Sequence, residues 1–151
     1  MYSNILVPLD TGTESDAALP HARALAEKFG ARVTLLLVAE SANMTVSALA
    51  ESFGALGSVA AALEREETLE AVGLAYLESV RESEGSPDWT LVVVEGTPGR
   101  MIVEVANDGS YDLVVMATHG RTGLGLLLHG SVAEHVVRQG QVPTLVIPIE
   151  D

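Results

Sequence analysis

"DLVVMATHGRTGLGLLLHGSVAEHVVRQG", residues 112–140, carries three kinds of text in succession. Asp112 to Ala117 is a short apolar run with the character of a buried strand, and Ser131 to Gly140 has the pattern of a helix closed by glycine. Between them stand Gly120, Gly123, Gly125 and Gly130, interleaved with Leu124, Leu126, Leu127 and Leu128. Strand, glycine-rich turn, helix is the unit from which parallel α/β sheets are built.

The same alternation continues outward in both directions. Toward the C-terminus, "PTLVIPI" (Pro143 to Ile149) reads as a last strand. Toward the N-terminus, Thr97 to Asp108 reads as a helix with Thr97 as N-cap and Pro98 in the first position, preceded by a strand at Thr90 to Glu95. At the start of the chain, Asn4 to Leu9 is apolar and ends at Asp10. "TGTESD" then supplies turn residues, with Thr13 and Asp16 spaced as a capping box. Ala17, Ala18, His21, Ala22, Leu25 and Phe29 recur at helical spacing up to Gly30, and Arg32 to Val38 forms the next strand. Its continuous apolar character suits a parallel strand covered on both faces. Five strands and four helices in alternation predict an open, mostly parallel five-stranded α/β sheet with helices on both faces.

Residues 40 to 85 are less regular. An Ala/Ser/Gly-rich stretch to about Ser58 is expected to lead into an amphipathic helix ending near Arg81, with Leu63, Leu69, Val72, Tyr76 and Leu77 facing inward. A helix pair broken between Gly54 and Gly57 is the alternative. No repeat or linker interrupts the chain, so residues 1–151 are expected to form a single domain.

Composition narrows the partners. The 151 residues include 21 acidic and 8 basic side chains, a formal charge of −13, and no cysteine. That field and the scattered basic residues argue against nucleic acid, and the missing thiols exclude disulfides and Cys-type zinc sites. No apolar run reaches the roughly 18 residues of a membrane span, and the first residues lack the pattern of a signal peptide. The expectation is a soluble cytoplasmic protein with no membrane partner.

The glycine loop suggests a ligand. In open α/β sheets ligands bind beyond the carboxyl ends of the strands, near the point where strand order reverses. The first amides of the helix after Gly130 have no intrahelical acceptor and lie at the positive end of its dipole, so a phosphate fits there. Gly130 leaves room for it, Ser131 can add a hydroxyl, Gly120 permits close backbone approach, and Arg121 can fork onto an anion. The competing reading is a capping box of Ser131 and Glu134 that uses the same donors internally. His119, His129 and His135 do not have the spacing of a helical metal pair, and Trp89 fits a core edge. Neither a G-x-S-x-G elbow nor a G-x4-G-K-[ST] loop is present, so any ATP hydrolysis is expected to be slow.

Gly120, nine residues, then Gly130-Ser131, within "DLVVMATHGRTG" and "LLLHGSVAEHVV", resembles the G-x2-G-x9-G-[S/T] signature of the universal stress protein family. "NILVPLD", "VTLLLV", "EGTPGRMIVEVA" and "VPTLVIP" extend the resemblance across most of the chain, leaving residues 41–63 without a clear match. Ala117 stands where the signature has its first glycine, which narrows access. The resemblance implies a Rossmann-like fold of the adenine nucleotide alpha hydrolase type that binds ATP, or AMP or ADP, as a stress sensor or regulator. In that family's ATP-binding branch, Asp10 would meet the nucleoside, through its carboxylate at the ribose or its backbone at the adenine. Val38 would offer backbone hydrogen bonds to the adenine edge, Ala117 and Gly120 would line the ribose and phosphates, and Gly130, Ser131 and Val132 would hold the phosphates. Mg2+ could bridge phosphate oxygens. The resemblance also implies a homodimer joined through the terminal strand, Val142 to Ile149. Its rivals are a nucleotide-free member acting through protein contacts and a related adenylating enzyme.

Overall fold

The structure, a computed structural model, describes residues 1–10, 13–40, 68–119 and 132–149. Residues 41–63, Gly120, Arg121, Gly130 and Ser131 lie outside this set. The elements in chain order are β1 (Asn4–Leu9), a 3-10 turn (Thr13–Ala18), α1 (Leu19–Phe29), β2 (Arg32–Ala39) and α2 (Leu69–Ser83). After them come β3 (Thr90–Glu95), α3 (Pro98–Asp108), β4 (Leu113–His119), α4 (Val132–Gln139) and β5 (Thr144–Ile149). All strand pairs are parallel, in the order β3-β2-β1-β4-β5. The chain starts in the middle of the sheet, winds outward through β2 and β3, and returns to add β4 and β5 on the other side.

Strand alternation divides the core between the two faces. Ile5, Val7, Leu9, Val33, Leu35, Leu37, Leu113 and Val115 face α1 and α2, where they pack with Ala22, Val72, Tyr76 and Leu77. Leu6, Leu36, Val114 and Met116 face α3 and α4 and meet Ile102, Ala106, Ala133 and Val136. Both faces of β1 and β2 are therefore covered, which is why these strands read as unbroken apolar runs. Trp89 is a buried core edge, as expected. The Arg23 guanidinium lies 5.9 Å from its ring centroid and pairs with the Glu84 carboxylate, tying α1 to the end of α2.

Three local expectations change. The α-helix starts at Leu19 and not at Thr13, with no side-chain cap on Ala18 and Pro20 in its first turn. Pro20 fixes a helical φ and lacks the N–H that a cap would satisfy, so Asp16 falls inside a 3-10 turn instead of a capping box. Thr97 does occupy the N-cap of α3, but its side chain makes no capping hydrogen bond. Thr68 caps α2, its hydroxyl accepting from the Ala71 amide at 3.2 Å, and the helix runs to Ser83, past the expected end at Arg81.

Candidate functional site: the crevice between β1 and β4

β1 and β2 share six registered pairs, as do β4 and β5, whereas β1 and β4 share only Ile5↔Leu113 and Leu6↔Val114. The cause is in the sequence. The Asp112 amide donates to the Asn4 carbonyl, so the even-numbered residues of β1 turn their backbone groups toward β4. Pro8 is the next but one, and it has no N–H to give. The ladder stops there, and the strands part on the side of their carboxyl ends.

At the other end this seam is clasped. Asp112 Oδ2 accepts from the Ser3 amide at 2.8 Å and Oδ1 from the Asn4 amide at 3.1 Å. Slight burial opposes ionisation, but these amide hydrogen bonds outweigh it and hold the Asp112 carboxyl below its ordinary value.

A cavity of about 270 Å3 fills the opening, lined by Pro8, Leu9, Asp10, Ser15, Val38, Glu40, Pro98, Ile102, Met116, Ala117 and Val132. The fold thus gathers Asp10, Val38, Ala117 and Val132 around one space, and these are four of the residues singled out in the sequence. Gly120, Arg121, Gly130 and Ser131 lie outside the described residues. Sequence reading missed Pro8, Ser15, Glu40, Pro98, Ile102 and Met116. A strand-end rule could have flagged Pro8, Glu40 and Met116; nothing local marks Ser15.

The walls differ in polarity. On one side the side chains are acceptors, the carboxylates of Asp10 and Glu40. On the other, the first turns of α3 and α4 bring Pro98 and Val132, with the positive ends of two helix dipoles. Gly99 allows the two helices to come close, since a Cβ there would lie 3.1 Å from the His135 ring.

The backbone at the strand ends is also specific. The Arg32 amide donates to the Ser3 carbonyl and the Gly96 amide to the Ala39 carbonyl, so even residues of β2 face β1 and odd ones face β3. The register Leu9↔Leu37 directs the Val38 N–H to the Leu9 carbonyl and leaves the Val38 carbonyl looking past the described end of β1. The Asp10 amide donates to Ser15 Oγ at 3.2 Å, so this backbone donor already has an acceptor. Burial pushes the Asp16 carboxyl up, reinforced by Asp10 and Glu84. Burial, then Asp16 and Asp10, also raises the Tyr76 hydroxyl above the ordinary phenol value.

Known proteins share this fold. The model of the universal stress protein family matches residues 1–148. The universal stress protein MJ0531 of Methanocaldococcus jannaschii is 35% identical over 151 aligned residues, covering 97% of this chain and 82% of the relative. Among solved structures, that of the protein MJ0577 superposes with a TM-score of 0.68 at 26% identity, covering 100% of this chain and 99% of the other. A universal stress protein in complex with cAMP superposes at 0.65 with 19% identity, covering 99% and 98%. With the doubly wound sheet, the parted central strands and a match over nearly the whole length, the chain belongs to the universal stress protein family.

Proposed function

We propose that this chain binds an adenine nucleotide, ATP in the first place and AMP or ADP as alternatives, in the crevice between β1 and β4. The observation that carries the reading is the two-sided polarity of the cavity. The Asp10 and Glu40 carboxylates and the Val38 carbonyl accept hydrogen bonds from ribose hydroxyls and the adenine amino group. The helix starts across from them favour anions, so the phosphates belong at the α4 end with Val132, and the sequence pattern adds Gly120, Arg121, Gly130 and Ser131 as their further ligands. Support comes from the related fold in complex with cAMP, which is also an adenine nucleotide. Ala117 borders the space, its small side chain narrowing access without filling the cavity.

Mg2+ suits a site that offers hard carboxylate oxygens beside phosphates, because the ion keeps phosphate and water ligands in preference to an all-protein cage. Bound there, it would neutralise phosphate charge next to Asp10 and Glu40. The protein acts as a cytoplasmic stress sensor or regulator, with at most slow hydrolysis, and as a homodimer through β5, an edge strand of the sheet.

Calorimetric titration of nucleotide-stripped protein with ATP and Mg2+ tests the reading. Wild type is expected to bind at a micromolar Kd, and Ala117→Leu, which fills the crevice, to lose at least about tenfold in affinity. A folded wild type that binds no adenine nucleotide would leave the family's nucleotide-free mode, action through protein contacts.

A further inference from the structure

We propose that Ser15 is a positioning residue of this site, one that makes the acidic side of the crevice read ligand hydroxyl donors. The inference rests on the nucleotide-binding reading and deepens it. Asp10 is the first residue past β1, and strand alternation turns its amide toward the gap that Pro8 opens, where no ladder acceptor remains. Ser15 is only 7% exposed, sits in the 3-10 turn and lines the cavity. Its Oγ accepts that amide hydrogen at 3.2 Å, tying the 3-10 turn to the end of the strand.

Two consequences follow. The bond fixes the backbone of Asp10 and with it the origin of its solvent-exposed carboxylate. It also removes an N–H that would otherwise lie beside the carboxylates of Asp10 and Glu40. The Asp10 and Glu40 carboxylates on this wall accept hydrogen bonds and repel anions, so they favour a ribose with free hydroxyls over a deoxyribose or a phosphorylated sugar. A buried serine in a turn is an unremarkable core filler by itself; its bond to the amide of a cavity carboxylate is what gives it a role in recognition.

The test is titration of wild type, Ser15→Ala, Ser15→Cys and Ser15→Thr with ATP, 2′-deoxy-ATP and 3′-deoxy-ATP in Mg2+. Wild type should prefer ATP over at least one deoxy analogue by about tenfold. Ser15→Ala should weaken ATP by about tenfold while leaving that analogue within about twofold, so that discrimination collapses. Ser15→Cys keeps the volume with a poor acceptor and should behave like Ser15→Ala, which covers the case in which the alanine variant does not fold. Ser15→Thr should restore the preference. Equal losses for all three nucleotides, or discrimination retained without the hydroxyl, would overturn the proposal and reduce Ser15 to a structural role. A wild type that binds ATP and its deoxy analogues equally would overturn it while leaving the nucleotide site standing. A wild type that binds none of the three would take down the site reading itself.

Discussion

Asp16 and Asp112 are carboxylates shifted in opposite directions, and each predicts its own pH dependence. Burial, with Asp10 and Glu84 nearby, raises the Asp16 carboxyl above 3.8. The folded state therefore holds this proton more tightly than the unfolded chain, and the associated stability is present below pH 3.8 and lost as pH rises through the folded value. One Asp16 oxygen is buried without a hydrogen bond among the described residues, so the ionised form is poorly served. Asp16→Asn should raise Tm by about 1–2 °C at pH 7 and lose that advantage near pH 4, as read by thermal melts across pH. A variant less stable at pH 7 would contradict this assignment. Asp112 runs the other way: its value is lowered, so its contribution is present above 3.8 and lost as pH falls through the folded value. Asp112→Ala should lower Tm by about 2–4 °C at neutral pH, with the difference shrinking in acid. An unchanged melt would show that the clasp on Ser3 and Asn4 does not hold the seam.

The elements are legible wherever period and turn chemistry agree. Thr90 to Glu95 and Asn4 to Leu9 emerge with the expected bounds because apolar runs meet turn residues at both ends. The start of α1 misleads because Thr13 and Asp16 satisfy a spacing rule, while Pro20, four residues later, sets where helical geometry begins. The parted seam is harder to read: Pro8 is visible in the sequence, but its effect depends on which neighbour β1 turns its even residues toward. Ser15 is harder still, since its partner is an amide whose lack of a ladder acceptor is a tertiary fact. Gly96 is a test at this scale. It closes β3 at φ +147°, and a Cβ there would come within 2.7 Å of Met101 Cγ. Gly96→Ala should cost about 1–3 kcal/mol, seen as a drop in Tm of several degrees. An unperturbed melt would mean the turn relaxes without cost.

Across the whole molecule, strand order places β5 at one edge and β3 at the other, with the crevice at the centre where the winding reverses. Leu145 is 37% exposed on β5, and Val137 is 56% exposed on the preceding helix. Burying these side chains against a second copy would cover an apolar edge that a lone chain leaves open. Leu145→Lys should therefore shift sedimentation equilibrium from a dimer toward the 15.8 kDa of one chain, and a wild type already monomeric at high concentration would contradict the proposed assembly. At this scale the sequence shows the doubly wound sheet through its alternation, and the cavity through the strand ends that meet there. On the proposed reading, one crevice gathers the nucleotide. Amide chemical-shift mapping during titration with ATP and Mg2+ tests it most directly. The account predicts the largest shifts at Asp10, Val38, Ala117 and Val132, with the amides of β3 and α2 nearly still; saturable binding whose shifts cluster away from the β1–β4 opening would contradict it.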